Sequence, residues 1–211
     1  DKDCSKSSIG IRPGMGPVVA WNINSQCNLN CKHCYSKSTA KKRNETLNTK
    51  EAFNLIDQLA DFKVPVLLLS GGEPLLREDL FKIIKKAKSR DLRVVISTNG
   101  TLLTEKMVQK LNFLDVSYIG ISLDGMEAVN DSFRGKKGAF RAALEGIRNC
   151  QKYNQKVGLR FTINQENYQQ IDDLFQLIER EDIPRICFYH LVYSGRAENI
   201  KEAELSDSDN Y

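Results

Sequence analysis

The residues with the most chemistry in this chain are Cys27, Cys31 and Cys34, a C-x3-C-x2-C array in the stretch CNLNCKHCY, which follows the apolar run PVVAWNI. Three thiolates within eight residues of loop beside a strand end can grip one iron–sulfur cluster and leave one iron with no protein ligand. An iron in that state can take a small chelating ligand. Zinc is the competing chemistry, with His33 as a fourth donor, although structural zinc normally gathers its ligands as two separated pairs. A group of thiols with no metal is the third possibility, and spacing alone leaves all three open.

The elements that must position these residues are legible from pattern. The 211 residues are 41% hydrophobic and 27% charged, a composition suited to one compact domain with a sizeable core. A first strand is expected at about Val18 to Asn24, ahead of the cysteine loop. Next come a helix from about Lys50 with Ala52, Leu55, Ile56, Leu59 and Ala60 on one face, and a strand VPVLLLS running into Gly71-Gly72-Glu73-Pro74. Strands RVVIS, SYIGIS, VGLRFTI and RICFYHLV then alternate with helices marked by Leu80/Ile84, Val108/Leu111, Phe140/Ala143/Leu144/Ile147 and Ile171/Leu174/Phe175/Ile178. Near-continuous apolar strands separated by helices indicate an α/β protein with a parallel sheet. Right-handed crossovers would curl it into a partial (β/α)6 TIM-like barrel, while order alone also permits a doubly wound flat sheet. Position favours the barrel. The unusual residues all fall just past strand ends, which is the active-site face of parallel barrels. The expected organisation is a lead at 1–16, the barrel at 17–195 and a polar tail at 196–211.

Composition excludes several other classes. A net charge of +4 from 31 basic and 27 acidic residues is too mild to argue for nucleic acid. Apolar runs are of strand length, and DKDCSKSSIG has no signal-peptide core, so no membrane partner and a cytoplasmic, reducing location are expected. The chain does not start with Met, so a processed or excised piece of a longer protein is expected. Of the six cysteines, Cys150 falls on a helix core face and Cys187 within a strand, while Cys4 has no assignable role. The stretch KSTAKKRNE is either a solvated loop or a cationic rim over an anionic substrate.

With CNLNCKHCY and GGEP one helix apart, the chain resembles the radical S-adenosylmethionine (SAM) enzymes from Pro17 through Tyr193. The resemblance implies a [4Fe–4S] cluster on the three cysteines, its open iron chelated by the amino and carboxylate groups of SAM's methionine part. Reduction by an electron donor such as ferredoxin or flavodoxin would cleave SAM to a 5′-deoxyadenosyl radical, with no catalytic side chain beyond the cluster. The resemblance further implies that Gly71, Gly72 and Glu73 offer backbone and acidic acceptors to the methionine ammonium, the glycines letting the ligand approach the backbone. Tyr35 would pack near the adenine and Leu191 would floor it. Ser122, Asp124 and Asn164 would meet SAM's carboxylate and ribose hydroxyls, and Arg134 would help hold the carboxylate. Each position has a structural alternative: a turn signal for GGEP, a ring covering its own loop for Tyr35, helix caps for the small polar residues, and a solvated guanidinium for Arg134.

The stretch CFYHLVYSGR is similar to radical SAM proteins of modified-haem synthesis, which act on siroheme-derived tetrapyrroles. That similarity implies a carboxylate-bearing tetrapyrrole substrate met by Tyr189, His190, Tyr193 and Arg196, with Lys37, Lys41, Lys42 and Arg43 as rim charge. The alternatives are a peptide-modifying or sulfatase-maturing radical SAM enzyme and, from another class, a non-catalytic metal-binding module. Proteins of that group usually continue into a C-terminal domain with further cysteines, whereas no cysteine follows Cys187 here, so an incomplete substrate site is expected.

Overall fold

In a computed structural model, which describes residues 16–41 and 46–203, six strands form a single sheet. They are β1 (Val19–Asn22), β2 (Val66–Ser70), β3 (Arg93–Thr98), β4 (Tyr118–Ser122), β5 (Val157–Ile163) and β6 (Ile186–His190). Their spatial order follows the chain, and every neighbouring pair is parallel. A doubly wound sheet reverses its order at a switch point, so this consecutive order is that of a barrel, left open between β1 and β6 among the described residues. Residues from all six strands line one cavity, which requires the sheet to curl.

The helices are α1 (Thr49–Asp61), α2 (Leu80–Lys88), α3 (Glu105–Phe113), α4 (Glu127–Arg134), α5 (Ala139–Lys152) and α6 (Ile171–Arg180). Helix α1 begins with a capping box in which the Asn48 side chain accepts from the Lys50 and Glu51 N–H groups and Glu51 accepts from the Asn48 N–H. Thr104 caps α3 with a single bond, its hydroxyl accepting from the Met107 N–H. The predicted apolar face of α5 is buried together with Cys150, whose thiol burial pushes up to about 12, so this cysteine is an inert core residue.

Three expectations change. One helix was expected between β4 and β5, and there are two. Helix α4 shows only Val129 and Phe133 at helical apolar spacing, too thin a stripe to stand out, and it places Arg134 in its last turn rather than in a loop. On α6, Leu174 and Leu177 take the buried face, while Phe175 stays 46% exposed near Phe188 of β6. The start of the polar tail is folded: Gly195–Ala203 forms two 3-10 turns that meet at a kink at Ile200, and Ala197 is buried. The lead 1–15 with Cys4, the basic residues Lys42 and Arg43, and the tail beyond 203 lie outside the described residues.

The strands alternate between two faces. Leu67, Leu69, Val94, Ile96, Ile119, Ile121, Leu159 and Phe161 point at the helices and are wholly buried. Each such side chain contributes roughly 1.5–3 kcal/mol through its removal from water. The positions between them turn to the concave side, where Ala20, Asn22, Ser70, Ser97, Ser122, Arg160 and Thr162 leave room instead of filling it. No helix among the described residues is long and apolar enough to cross a membrane.

Candidate active site

The cysteine loop leaves β1 and is tied down on several sides. The Cys27 N–H donates to the Thr39 carbonyl at 2.8 Å, and the Asn30 and Lys32 N–H groups donate to the carbonyls of Arg134 and Phe133 at 3.2 and 2.8 Å. The Arg196 N–H donates to the Cys34 carbonyl at 3.0 Å. All three thiols are free and line one cavity of about 350 Å³ at the mouth of the barrel. Burial pushes the Cys27 thiol up to about 11 and raises Cys31 as well. Burial acts the same way on Cys34, but hydrogen bonds from Ser36 and the Ser38 backbone, with the Arg196 guanidinium, outweigh it and hold that thiol below its ordinary value.

His33 does not join the thiols as a fourth ligand. Its ring stacks on Phe133, centroids 4.7 Å apart at 13°, and Nε2 lies 3.6 Å from the Asp124 carboxylate. Burial lowers its pKa to about 4, so the imidazole is neutral. Among the described residues no three His, Cys, Asp or Glu side chains are grouped to hold a single metal ion. Three soft sulfur donors that line one cavity are the donor set of an iron–sulfur cluster, and they pack around Leu29 and Ala139.

The GGEP corner packs directly on the start of the cysteine loop. The Gly72 and Glu73 N–H groups donate to the carbonyls of Asn24 and Gln26 at 2.6 and 2.8 Å. A Cβ at Gly71, where φ is +135°, would sit 2.4 Å from the Asn24 carbonyl oxygen, and one at Gly72 would sit 2.3 Å from that of Gln26. The glycines are therefore demanded by the close approach of two chain segments, a reason nearer than the ligand approach expected from sequence. Both still line the cavity. Glu73 departs further from expectation. Its carboxylate is fully buried, accepting from the Leu75 N–H, the Thr98 hydroxyl and the Asn99 N–H at 3.0, 2.7 and 2.9 Å, so it braces β2 to β3 and does not face the cavity.

Six other expected residues divide the same way. Ser122 and Leu191 line the cavity, as do Tyr35, whose hydroxyl donates to Asn22 Oδ1 at 2.8 Å, and Arg134. Asp124 and Asn164 do not. Asp124 is wholly buried, accepts from the Thr162 N–H at 2.8 Å and pairs with the Arg134 guanidinium. Asn164 is spent on its own turn, donating to the Thr162 carbonyl and accepting from the Glu166 N–H. Small polar residues at strand ends served the backbone here, because buried turn amides need partners.

Of the expected substrate contacts, Tyr189 and His190 lie at the cavity edge. Arg196 is a correction: Nε donates to the Cys31 carbonyl at 2.8 Å and Nη1 to the Ser38 carbonyl at 2.7 Å, so it clamps the cysteine loop. Lys37 lies 3.9 Å from Glu198 rather than standing as a bare rim charge. Arg160 went unnoticed in the sequence. It stands beside Ser122 in the sheet register, lines the cavity, and stacks its guanidinium 4.5 Å over the Tyr189 ring. A lone charge within the mostly apolar VGLRFTI was the available signal, since a charge in a buried strand must point into a polar space.

Residues 21–178 match the Radical SAM superfamily, and the chain belongs to that superfamily. Among curated relatives, the Fe-coproporphyrin III synthase of Methanosarcina barkeri is 52% identical over 190 residues, covering 90% of this chain and 48% of that protein. The pre-heme d1 synthase of Dinoroseobacter shibae is 43% identical over 180 residues, covering 85% and 45%. The chain thus spans about half the length of these relatives. Streptococcus suis SuiB bound to S-adenosylmethionine matches in structure with a TM-score of 0.71 at 17% identity, over 84% of this chain and 41% of that one, which bears on the partial-barrel fold alone.

Proposed function

We propose that this chain is the core of a radical SAM enzyme in which Cys27, Cys31 and Cys34 hold a [4Fe–4S] cluster and the strand-end residues around them hold SAM. The carrying observation is that the three thiols and residues from all six strands line the same cavity. Bound there, the cluster supplies reductive cleavage of SAM, and the protein's share is placement. The Gly71-Gly72 backbone is the acceptor surface for the methionine ammonium, Ser122 and Arg160 serve the carboxylate side, and Tyr35 with Leu191 covers the adenine. Glu73, Asp124 and Asn164 act one layer back, fixing those groups.

The substrate we infer is a carboxylate-bearing tetrapyrrole. Support comes from the relatives, which are named as synthases of Fe-coproporphyrin III and pre-heme d1, and from the aromatic and cationic edge formed by Tyr189, His190 and Arg160. A flat apolar disc ringed by carboxylates takes aromatic surface on its faces and guanidinium at its rim. An external low-potential electron carrier supplies the electron.

Anaerobic reconstitution of the wild-type chain is expected to yield iron, acid-labile sulfide and 5′-deoxyadenosine under reductant, and each of Cys27→Ala, Cys31→Ala and Cys34→Ala is expected to lose them. A full cluster retained in any of the three variants overturns the assignment. Titration with didecarboxysiroheme is expected to shift the tetrapyrrole absorption band. No shift, together with product formed from a peptide, would assign the chain to a peptide-modifying enzyme.

A further inference from the structure

We propose that the buried Arg134–Asp124 pair sets the reduction potential of the cluster by acting on Cys31. This rests on the cluster assignment above and gives Arg134 a different task from holding SAM. Arg134 is 7% exposed, and its guanidinium divides between two partners: Nη1 reaches Cys31 Sγ at 3.8 Å, and Nη2 lies against the Asp124 carboxylate. Asp124 is fixed from behind by the Thr162 N–H at 2.8 Å, while its own N–H donates to Asn130 Oδ1 at 3.0 Å. The same turn of α4 is tied to the cysteine loop through the Asn30 and Lys32 amides, so the geometry between guanidinium and sulfur is held by backbone on both sides.

Stability alone does not call for such a pair, because a buried ion pair roughly breaks even with apolar residues of similar volume. Its orientation has an electrostatic consequence. The positive end touches the sulfur and the negative end lies further back, so the cysteine ligand sees net positive potential in a medium where charge is weakly screened. Reduction adds one electron to the cluster and increases negative charge on its sulfurs. A cation hydrogen-bonded at sulfur therefore favours the reduced state, and hydrogen bonds to the sulfurs are an established means of tuning such clusters. Arg134 is a positioning residue in this sense, acting through Cys31.

The test is an anaerobic redox titration with dithionite of the reconstituted chain, followed by the EPR signal of the reduced cluster, with iron and sulfide measured in parallel. In Arg134→Gln the ratio of reduced to oxidised cluster at a given solution potential is expected to fall on the order of tenfold, as for loss of one charge-assisted hydrogen bond, equivalent to 59 mV for a one-electron couple. In Asp124→Asn the ratio is expected to rise, because the guanidinium then faces the sulfur uncompensated. The opposite signs separate this role from a merely structural one. Shifts of the same sign, or no shift with iron and sulfide equal to wild type, overturn the inference. If Arg134→Gln takes up no cluster, Asp124→Asn decides alone, and an unchanged or lowered ratio there overturns it. A wild-type chain without a cluster overturns the proposed function, and the inference falls with it.

Discussion

Three donors converge on the Glu73 carboxylate, from Leu75, Thr98 and Asn99, inside a side chain with no solvent exposure. Burial raises its pKa above the ordinary carboxylate value, and these hydrogen bonds work against that rise. Removing the carboxylate strands the three donors in a dry corner. Glu73→Ala is therefore expected to lower the unfolding free energy by roughly 2–4 kcal/mol, as read from denaturant titration. If Glu73 instead met a ligand directly, stability would be nearly unchanged and only ligand affinity would drop. Chemistry at this scale was half legible. Cysteine spacing marked the thiols, but a carboxylate, an amide and a guanidinium look alike in sequence whether they face a ligand or a backbone amide, and Glu73, Asn164 and Arg196 all serve the protein itself.

Elements were legible where an apolar stripe had to be buried and obscure where it was short. Helix α5 announced itself through Phe140, Ala143, Leu144 and Ile147, whereas α4 was hidden by its thin stripe, though it carries the Arg134 guanidinium that reaches Cys31 Sγ. Helix α5 is also tied to the end of α6 by a forked ion pair, Arg148 Nε and Nη2 each 2.9 Å from the Glu181 carboxylate. The Arg148 hydrogen bonds hold the Glu181 pKa below its ordinary value. A depressed carboxylate contributes stability that is present above its unfolded pKa and is lost as pH falls through the folded one. With Arg148 half exposed, the pair is worth about 0.5–1 kcal/mol. Arg148→Ala is thus expected to be less stable than wild type by that amount at neutral pH, with the gap closing as Glu181 protonates; a gap that persists in acid would show the loss to be one of packing.

At the scale of the whole molecule, the 3-10 segment Gly195–Ala203 returns from β6 to the cysteine loop near the opposite end of the chain. Gly195 has φ +70°, and a Cβ there would lie 2.3 Å from the Tyr35 carbonyl oxygen, so the segment sits flush against the loop. Arg196 completes the join with its two side-chain hydrogen bonds to carbonyls. Arg196→Ala is expected to lower stability by about 1–3 kcal/mol and to speed loss of iron and sulfide from the reconstituted chain on dilution into chelator. Stability and iron retention both matching wild type would remove the clamp. By itself the sequence determined the thiol array, the strand–helix alternation and the convergence of strand ends, because periodicity records which faces are buried and a parallel barrel turns its strand ends to one mouth. Tertiary structure alone decided which polar residues look into that mouth. A side chain's partner is set by what other strands and loops bring within about 3 Å of it, and residues such as Cys31, Arg134 and Asp124 meet only after the sheet has curled.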